Sequence, residues 1–281
     1  MNAAETLSVF DKWWIEIEPL VMDKSANVWQ NLYKEIYLNI LKDDRWLQYL
    51  KGLGVTLRVS FFAILVGLAL GTLLAILRLP QMQNASGRGK GFFAQLGAFM
   101  LRSLSKLAGG YINLIRGTPL LLQVLIINFG IFGTVRIDKV IIGVIACGLN
   151  SAAYVAEIVR GGIMSVEKGQ TEAGRSLGLS SFSTMIHIIL PQAAKSALPA
   201  MCNEFISLIK ETSILSYVGI VEITRQGILW ASRDFKAFPA YIGVAVVYMC
   251  MTIPLSRGVE YLEKRMAGTN GAKQKRRKAG M

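Results

Sequence analysis

Apolar residues along this chain gather into five long runs separated by polar or charged stretches. The runs are Leu53–Leu79, a segment within Tyr111–Phe132, Val140–Val159, Ala193–Ile214 and Pro239–Tyr261. A helix of about 20 residues crosses a bilayer core of about 30 Å, and each run is long enough to supply one. The fourth run carries Glu204, Lys210 and Glu211, all costly in hydrocarbon, so a hydropathy count alone returns four. The pattern therefore predicts an all-α fold, a polytopic membrane helix bundle of about five transmembrane helices. No internal repeat relates one half of the chain to the other.

Composition sharpens this picture. Over 281 residues the hydrophobic share is 53% and the charged share 17%, yet the formal net charge is +13. Such apolarity and basicity coexist only if the charges are segregated, as in a bundle with basic loops on one side. Between Pro80 and Arg116 stand Arg88, Lys90, Arg102, Lys106 and Arg116 with no acidic residue. The tail after Tyr261 holds Lys264, Arg265, Lys273, Lys275, Arg276, Arg277 and Lys278 against Glu263 alone. The positive-inside rule puts both segments in the cytoplasm, and five spans then put the N-terminus outside. Residues 1–51 form an extracytoplasmic or interfacial amphipathic segment marked by Trp13, Trp14, Trp29 and Trp46. Residues 52–263 form the membrane domain, with a long cytoplasmic loop at 160–192, and residues 264–281 a disordered basic tail. Topology accounts for the basic excess, and nucleic-acid binding is not expected.

Little in the chain can do covalent chemistry. Its single histidine, His187, and three scattered cysteines, Cys147, Cys202 and Cys250, cannot build a zinc site or a disulfide framework. The stretch Ser86-Gly87-Arg88-Gly89-Lys90-Gly91 falls short of a phosphate loop. Asn84 stands where the first glycine is needed, and Gly91 where a Ser or Thr would hold magnesium. No cofactor and no metal is expected in the chain itself, which reads as a non-enzyme.

The loop 160–192 is helical in composition although it joins two spans. Glu167 to Leu177 suits a helix, which Gly178 ends because a φ > 0 turn is cheapest without a side chain. A second short helix can begin near Ser181–Ser183, capped by hydroxyls, with Pro191 interrupting it before the fourth span. The product is a helix-turn-helix across the ends of the bundle.

Within that loop Glu172, Ala173, Gly174, Gly178, Ile188, Leu190 and Pro191 follow the pattern E-A-A-x-x-x-G-x(9)-I-x-L-P, with Gly174 in place of the second alanine. The pattern resembles the signature loop of permease subunits of bacterial ATP-binding-cassette importers. Two further strings, Ile115 to Gln123 (IRGTPLLLQ) and Asn150 to Ile163 (NSAAYVAEIVRGGI), are similar to the polar amino-acid uptake branch, as is Phe205 to Ser213. The resemblance covers roughly residues 52–263. It implies a coupling loop that docks on separate ABC ATPase subunits, which bind ATP and Mg. It also implies a second permease copy as homo- or heterodimer, an extracytoplasmic amino-acid-binding protein, and a multi-pass position in the bacterial inner membrane. The rival reading is a component of an ion-coupled secondary transporter or channel, at which Glu204 and Glu211 hint.

Candidates for a substrate path follow from local physics. Gly117, Thr118 and Pro119 break regular helix, which membranes tolerate where backbone lines a cavity or is buried in protein. Asn150, Ser151, Tyr154 and Glu157 share one helical face; interhelical hydrogen bonding across a dimer is the competing reading for the first two. Glu157 and Arg160 are spaced for an ion pair. Arg58 sits near the outer interface, where it either snorkels or meets a substrate carboxylate.

Overall fold

The computed structural model describes residues 44–79 and 92–279 with a few isolated earlier positions, and side chains as far as Met266 except Ala94. Most of the segment 1–51 and the basic stretch Ser86–Gly91 lie outside the described residues. Among the described residues every regular element is helical. In chain order they are α1 (Arg45–Leu77), α2 (Phe92–Arg116), α3 (Leu120–Leu125, extended by a π-helical turn Ile126–Ile131) and α4 (Lys139–Met164). Then come α5 (Lys168–Ser176), α6 (Ser181–Thr184), α7 (Leu190–Glu211), α8 (Ile223–Asp234) and α9 (Ala237–Ala279).

Among the described residues three helices are long and apolar enough to cross a membrane: α1, α4 and the Ala237–Met266 part of α9. A fourth candidate is broken. Gln95–Arg116 and Leu120–Ile131 together are long and apolar enough for one span but are bent by 107°. The apolar pattern predicts one span within Tyr111–Phe132. The chain instead turns sharply at Gly117–Pro119, and a long helix precedes the turn where a basic loop was expected. α7, with Lys195, Glu204, Lys210 and Glu211 among other polar residues, is too polar to join the spanning helices, so the expected five includes one helix that is polar for a span.

Packing explains which helices form the centre. α1 and α4 approach closely through small residues, the usual device where lipid removes the hydrophobic drive between helices. A Cβ on Gly71 would lie 2.6 Å from the Ala152 carbonyl oxygen, and one on Gly67 2.8 Å from Ser151 Oγ. Val59, Ala63, Ala146, Cys147 and Val155 bury completely along this seam, joined by Val124 of α3 and Leu208 of α7.

Two sequence expectations about chain breaks need correction. Pro191 does not interrupt a helix. α6 runs through a π-helical turn, Met185–Ile189, straight into α7, and Pro191 sits in the first turn of α7. The widened turn accommodates a residue that cannot donate its N–H, and the first helical turn tolerates it best. The basic tail, expected to be disordered, continues α9 to Ala279; its run of Lys, Arg, Gln and Ala favours helix intrinsically.

At the opposite end from the α4–α5 connection, α8 is tied down by polar contacts. Glu222 caps it, its carboxylate accepting from the backbone of Thr224 (2.8 Å) and Arg225 (2.7 Å) and from Tyr248 Oη (2.9 Å). Arg45 pairs with Asp234 and lies 4.1 Å above the Trp230 ring, fastening the start of α1 to α8.

Candidate functional site

The loop 160–192 folds as a two-helix elbow. α5 closes with a full Schellman turn: Leu179 N–H donates to Gly174 O (3.1 Å), Gly178 N–H donates to Arg175 O (3.0 Å), and Gly178 has φ +85°. Ser180 Oγ then accepts from Ser183 N–H (3.1 Å) and caps α6. The turn thus falls where the sequence puts it, while the cap is Ser180 and not one of Ser181–Ser183. The glycine in place of the second alanine has a packing reason. A Cβ on Gly174 would meet Thr184 Cγ2 at 2.7 Å and Ile188 Cδ1 at 3.0 Å, so α5 lies directly against α6 and the π-turn.

The elbow is rooted and its tip is bare. Ser165 Oγ donates to Ser196 Oγ at 2.8 Å, and a Cβ on Gly162 would lie 2.8 Å from Ala193 O, locking the end of α4 to α7. Gln192 Nε2 donates to Ile188 O at 2.8 Å. Glu172 and Ala173 are exposed on α5, Leu190 and Pro191 are exposed on α7, and Ile188 faces Gly174. Leu177 is 81% exposed and Phe182 66%, an apolar tip flanked by polar residues of the kind that marks a protein contact.

Beside the elbow's root, Glu157 holds three arginines from three elements. Its carboxylate lies 3.0 Å from Arg78 Nη1 just past α1, 3.7 Å from Arg116 Nη1 at the end of α2, and 2.6 Å from Arg160 Nη2 on α4. Arg116 also lies 5.6 Å from the Tyr154 ring. The expected Glu157–Arg160 contact is therefore one edge of a larger clasp carrying two surplus positive charges.

The helix break is pinned to α4 by a side chain. Gln123 Nε2 lies 2.8 Å from Ile115 O, 3.1 Å from Thr118 O and 2.9 Å from Thr118 Oγ1, while its Oε1 accepts from Asn150 Nδ2 at 3.0 Å. Gly117 itself closes α2, donating to Asn113 O at 2.9 Å, and Pro119 leads into α3. Ser151 Oγ donates to Glu204 Oε1 at 2.7 Å. Asn150 and Ser151 are thus engaged between helices of one chain, and Tyr154 and Glu157 lie toward the clasp. Arg58 is apart from both, exposed and lining a cleft of about 370 Å³ with Phe62, Val66, Asp138 and Ile141. The sequence alone does not single out Gln123, Arg78 or Arg116 as site residues. Gln123 alone had a local signal, four residues past a Pro-marked break.

A multi-pass helical bundle with a rooted, bare-tipped elbow defines a transport permease component of a membrane assembly. Residues 91–268 match the family described as binding-protein-dependent transport system inner membrane component, and the chain belongs to that family. It is similar to the probable glutamine ABC transporter permease protein GlnM of Bacillus subtilis, 36% identical over 79% of this chain and 95% of that one. It is also similar to the glutamine transport system permease protein GlnP of Escherichia coli K12, 35% identical over 77% and 92%. A crystal structure of an amino acid ABC transporter with histidines shares the fold at TM-score 0.67 and 36% identity, covering 78% of this chain and 94% of the solved one. The chain is accordingly a multi-pass ABC transporter permease, a membrane component of a family that implies ATPase partners and a dimeric arrangement.

Proposed function

We propose that this chain is the transmembrane subunit of an ATP-driven importer of a polar amino acid. Two permeases, identical or homologous, form the path. Two ATPase subunits bind ATP and Mg beneath them, and an extracytoplasmic binding protein delivers the cargo. The N-terminus lies outside and the elbow and C-terminus inside, in line with the arginines gathered around Glu157 and the basic tail. The observation that carries the reading is the elbow: a Schellman-closed helix packed on a second helix continuous with a long bundle helix. ATP binding closes the ATPases, the elbows move with them, and the bundle exchanges inward- for outward-facing arrangements. The permease supplies only the differential stability of those two states. Glu172, Ala173, Gly174, Gly178, Ile188, Leu190 and Pro191 build the docking elbow. Gly117, Thr118, Pro119, Asn150, Ser151, Tyr154 and Glu157 border the path, and Arg58 is a weaker member of that set.

The test is uptake of radiolabelled glutamine into proteoliposomes holding the full assembly. ATP supplied on the elbow side drives uptake, and collapsing ion gradients leaves it intact. Uptake that survives without ATP but fails with the gradient would return the chain to the ion-coupled class.

A further inference from the structure

The end of α2 fixes where the whole helix runs. Arg116, its last residue, meets the same Glu157 carboxylate as Arg78, one residue beyond α1. A Cβ on Gly109 would come within 3.8 Å of Arg78 Nε. The C-terminal ends of α1 and α2 therefore stand at one level of the bundle. For α2 to reach that level from the far side, residues 80–91 would have to recross the bilayer, and that stretch is too short for a spanning helix of about 20 residues. Instead, the 107° bend turns α2 nearly at right angles to α3 and lays it along the membrane surface.

The surface of α2 matches that placement. Its C-terminal part packs on the bundle through Ala108 and Ile112, and at the edge of that face Tyr111 Oη donates to Leu149 O at 2.6 Å. Phe92, Leu96, Phe99 and Leu107 recur at helical spacing on another side, and all four are exposed. Arg102 and Lys106, four apart and exposed, flank this stripe, and no acidic residue occurs anywhere in the helix. An apolar stripe with a basic flank is complementary to acyl chains beneath anionic headgroups.

We propose that α2 is an interfacial helix of the inner leaflet, its Phe92–Leu107 stripe in the acyl region and Arg102 and Lys106 holding anionic phospholipid headgroups. The full chain, assembled with its ATPase partners in phosphatidylcholine–phosphatidylglycerol nanodiscs, provides the test. Cys147 is buried, so replacing Cys202 and Cys250 by alanine leaves a background in which single bimane labels report at Phe99→Cys, Leu107→Cys or Asn113→Cys. Brominated lipid quenches the labels at 99 and 107 while iodide does not; at 113 the order reverses. Brominated phosphatidylglycerol quenches the label at 99 more than brominated phosphatidylcholine does. Arg102→Gln and Lys106→Gln each lower that preference about fivefold. The proposal is overturned if the labels at 99 and 107 are open to iodide, if both quenchers are excluded because another subunit covers the stripe, or if the two lipids quench equally. The readout requires no transport, so its failure leaves the import reading standing.

Discussion

Gly174→Ala puts two effects of similar size in opposition. In a helix interior alanine is favoured over glycine by about 1 kcal/mol, so on propensity alone the change stabilises α5. The new methyl, however, would stand 2.7 Å from Thr184 Cγ2 and 3.0 Å from Thr184 Oγ1 and Ile188 Cδ1. Carbon atoms rest near 3.5–4.0 Å, so the overlap with Cγ2 is about 1 Å. Thr184 cannot easily yield, being buried and β-branched. Overpacking of this kind costs about 1–3 kcal/mol, which leaves α5 loosened by roughly 0–2 kcal/mol net. Thr184→Ala removes both near atoms, and Thr184 Oγ1 has no hydrogen-bond partner to lose. In the Gly174→Ala/Thr184→Ala double mutant only the movable end of Ile188 remains in the way, and the helix gain of about 1 kcal/mol reappears. Hydrogen exchange of the Lys168–Leu179 amides in the full chain reads this directly. Protection falls in Gly174→Ala and rises above that of Thr184→Ala in the double mutant, a positive coupling between neighbours. Equal or greater protection in Gly174→Ala alone, indifferent to Thr184, would refute the packing argument.

Gly178→Ala forces a side chain into φ +85° and weakens the α5 closure by about 1–2 kcal/mol; faster exchange at Gly178 and Leu179 amides, with α9 unchanged, checks it. Glu157→Gln leaves three guanidiniums without their shared anion and lowers thermal stability by about 1–3 kcal/mol, the arginines' partial exposure limiting the loss. An unchanged melting temperature at low salt would count against the clasp. Burial raises the Glu222 pKa above its ordinary value of 4.5, outweighing the hydrogen bonds that favour its anion. Because the folded state then binds the proton more tightly, this group's stabilising contribution is full below about 4.5 and declines as pH rises through the raised value. Melting curves against pH should show that decline in the wild type, and Glu222→Gln should flatten it.

Local chemistry that acts within a turn was legible in the sequence. Gly178 announces a positive-φ stop, serines announce a cap, and Gly117-Thr118-Pro119 announces a break, each needing only neighbours in the chain. What the break does to direction was not legible, because a 107° turn is set by Gln123 reaching back to Ile115 and Thr118 and across to Asn150. Pro191 misled for a related reason: its cost depends on whether the preceding turn widens, and Met185–Ile189 does. The Glu157–Arg160 contact followed from i, i+3 spacing. Arg78 and Arg116 join it only because α1 and α2 end side by side, a fact with no trace in either segment. Gly174, legible as a departure from the family pattern, acquires its reason only when Thr184 is seen against it.

The elbow is the part of the permease that the proposed ATPase subunits would grip. The direct measurement is zero-length-to-short-span thiol cross-linking from Leu177→Cys, at the bare tip, to cysteines placed one at a time in the ATPase subunits, in inverted membrane vesicles carrying the whole assembly. A covalent permease–ATPase adduct that blocks ATP-driven release of cargo preloaded in the vesicle lumen, and that reduction reverses, is the predicted result. The contradicting result is no adduct at any ATPase position while a membrane-impermeant maleimide labels Leu177→Cys from outside intact cells.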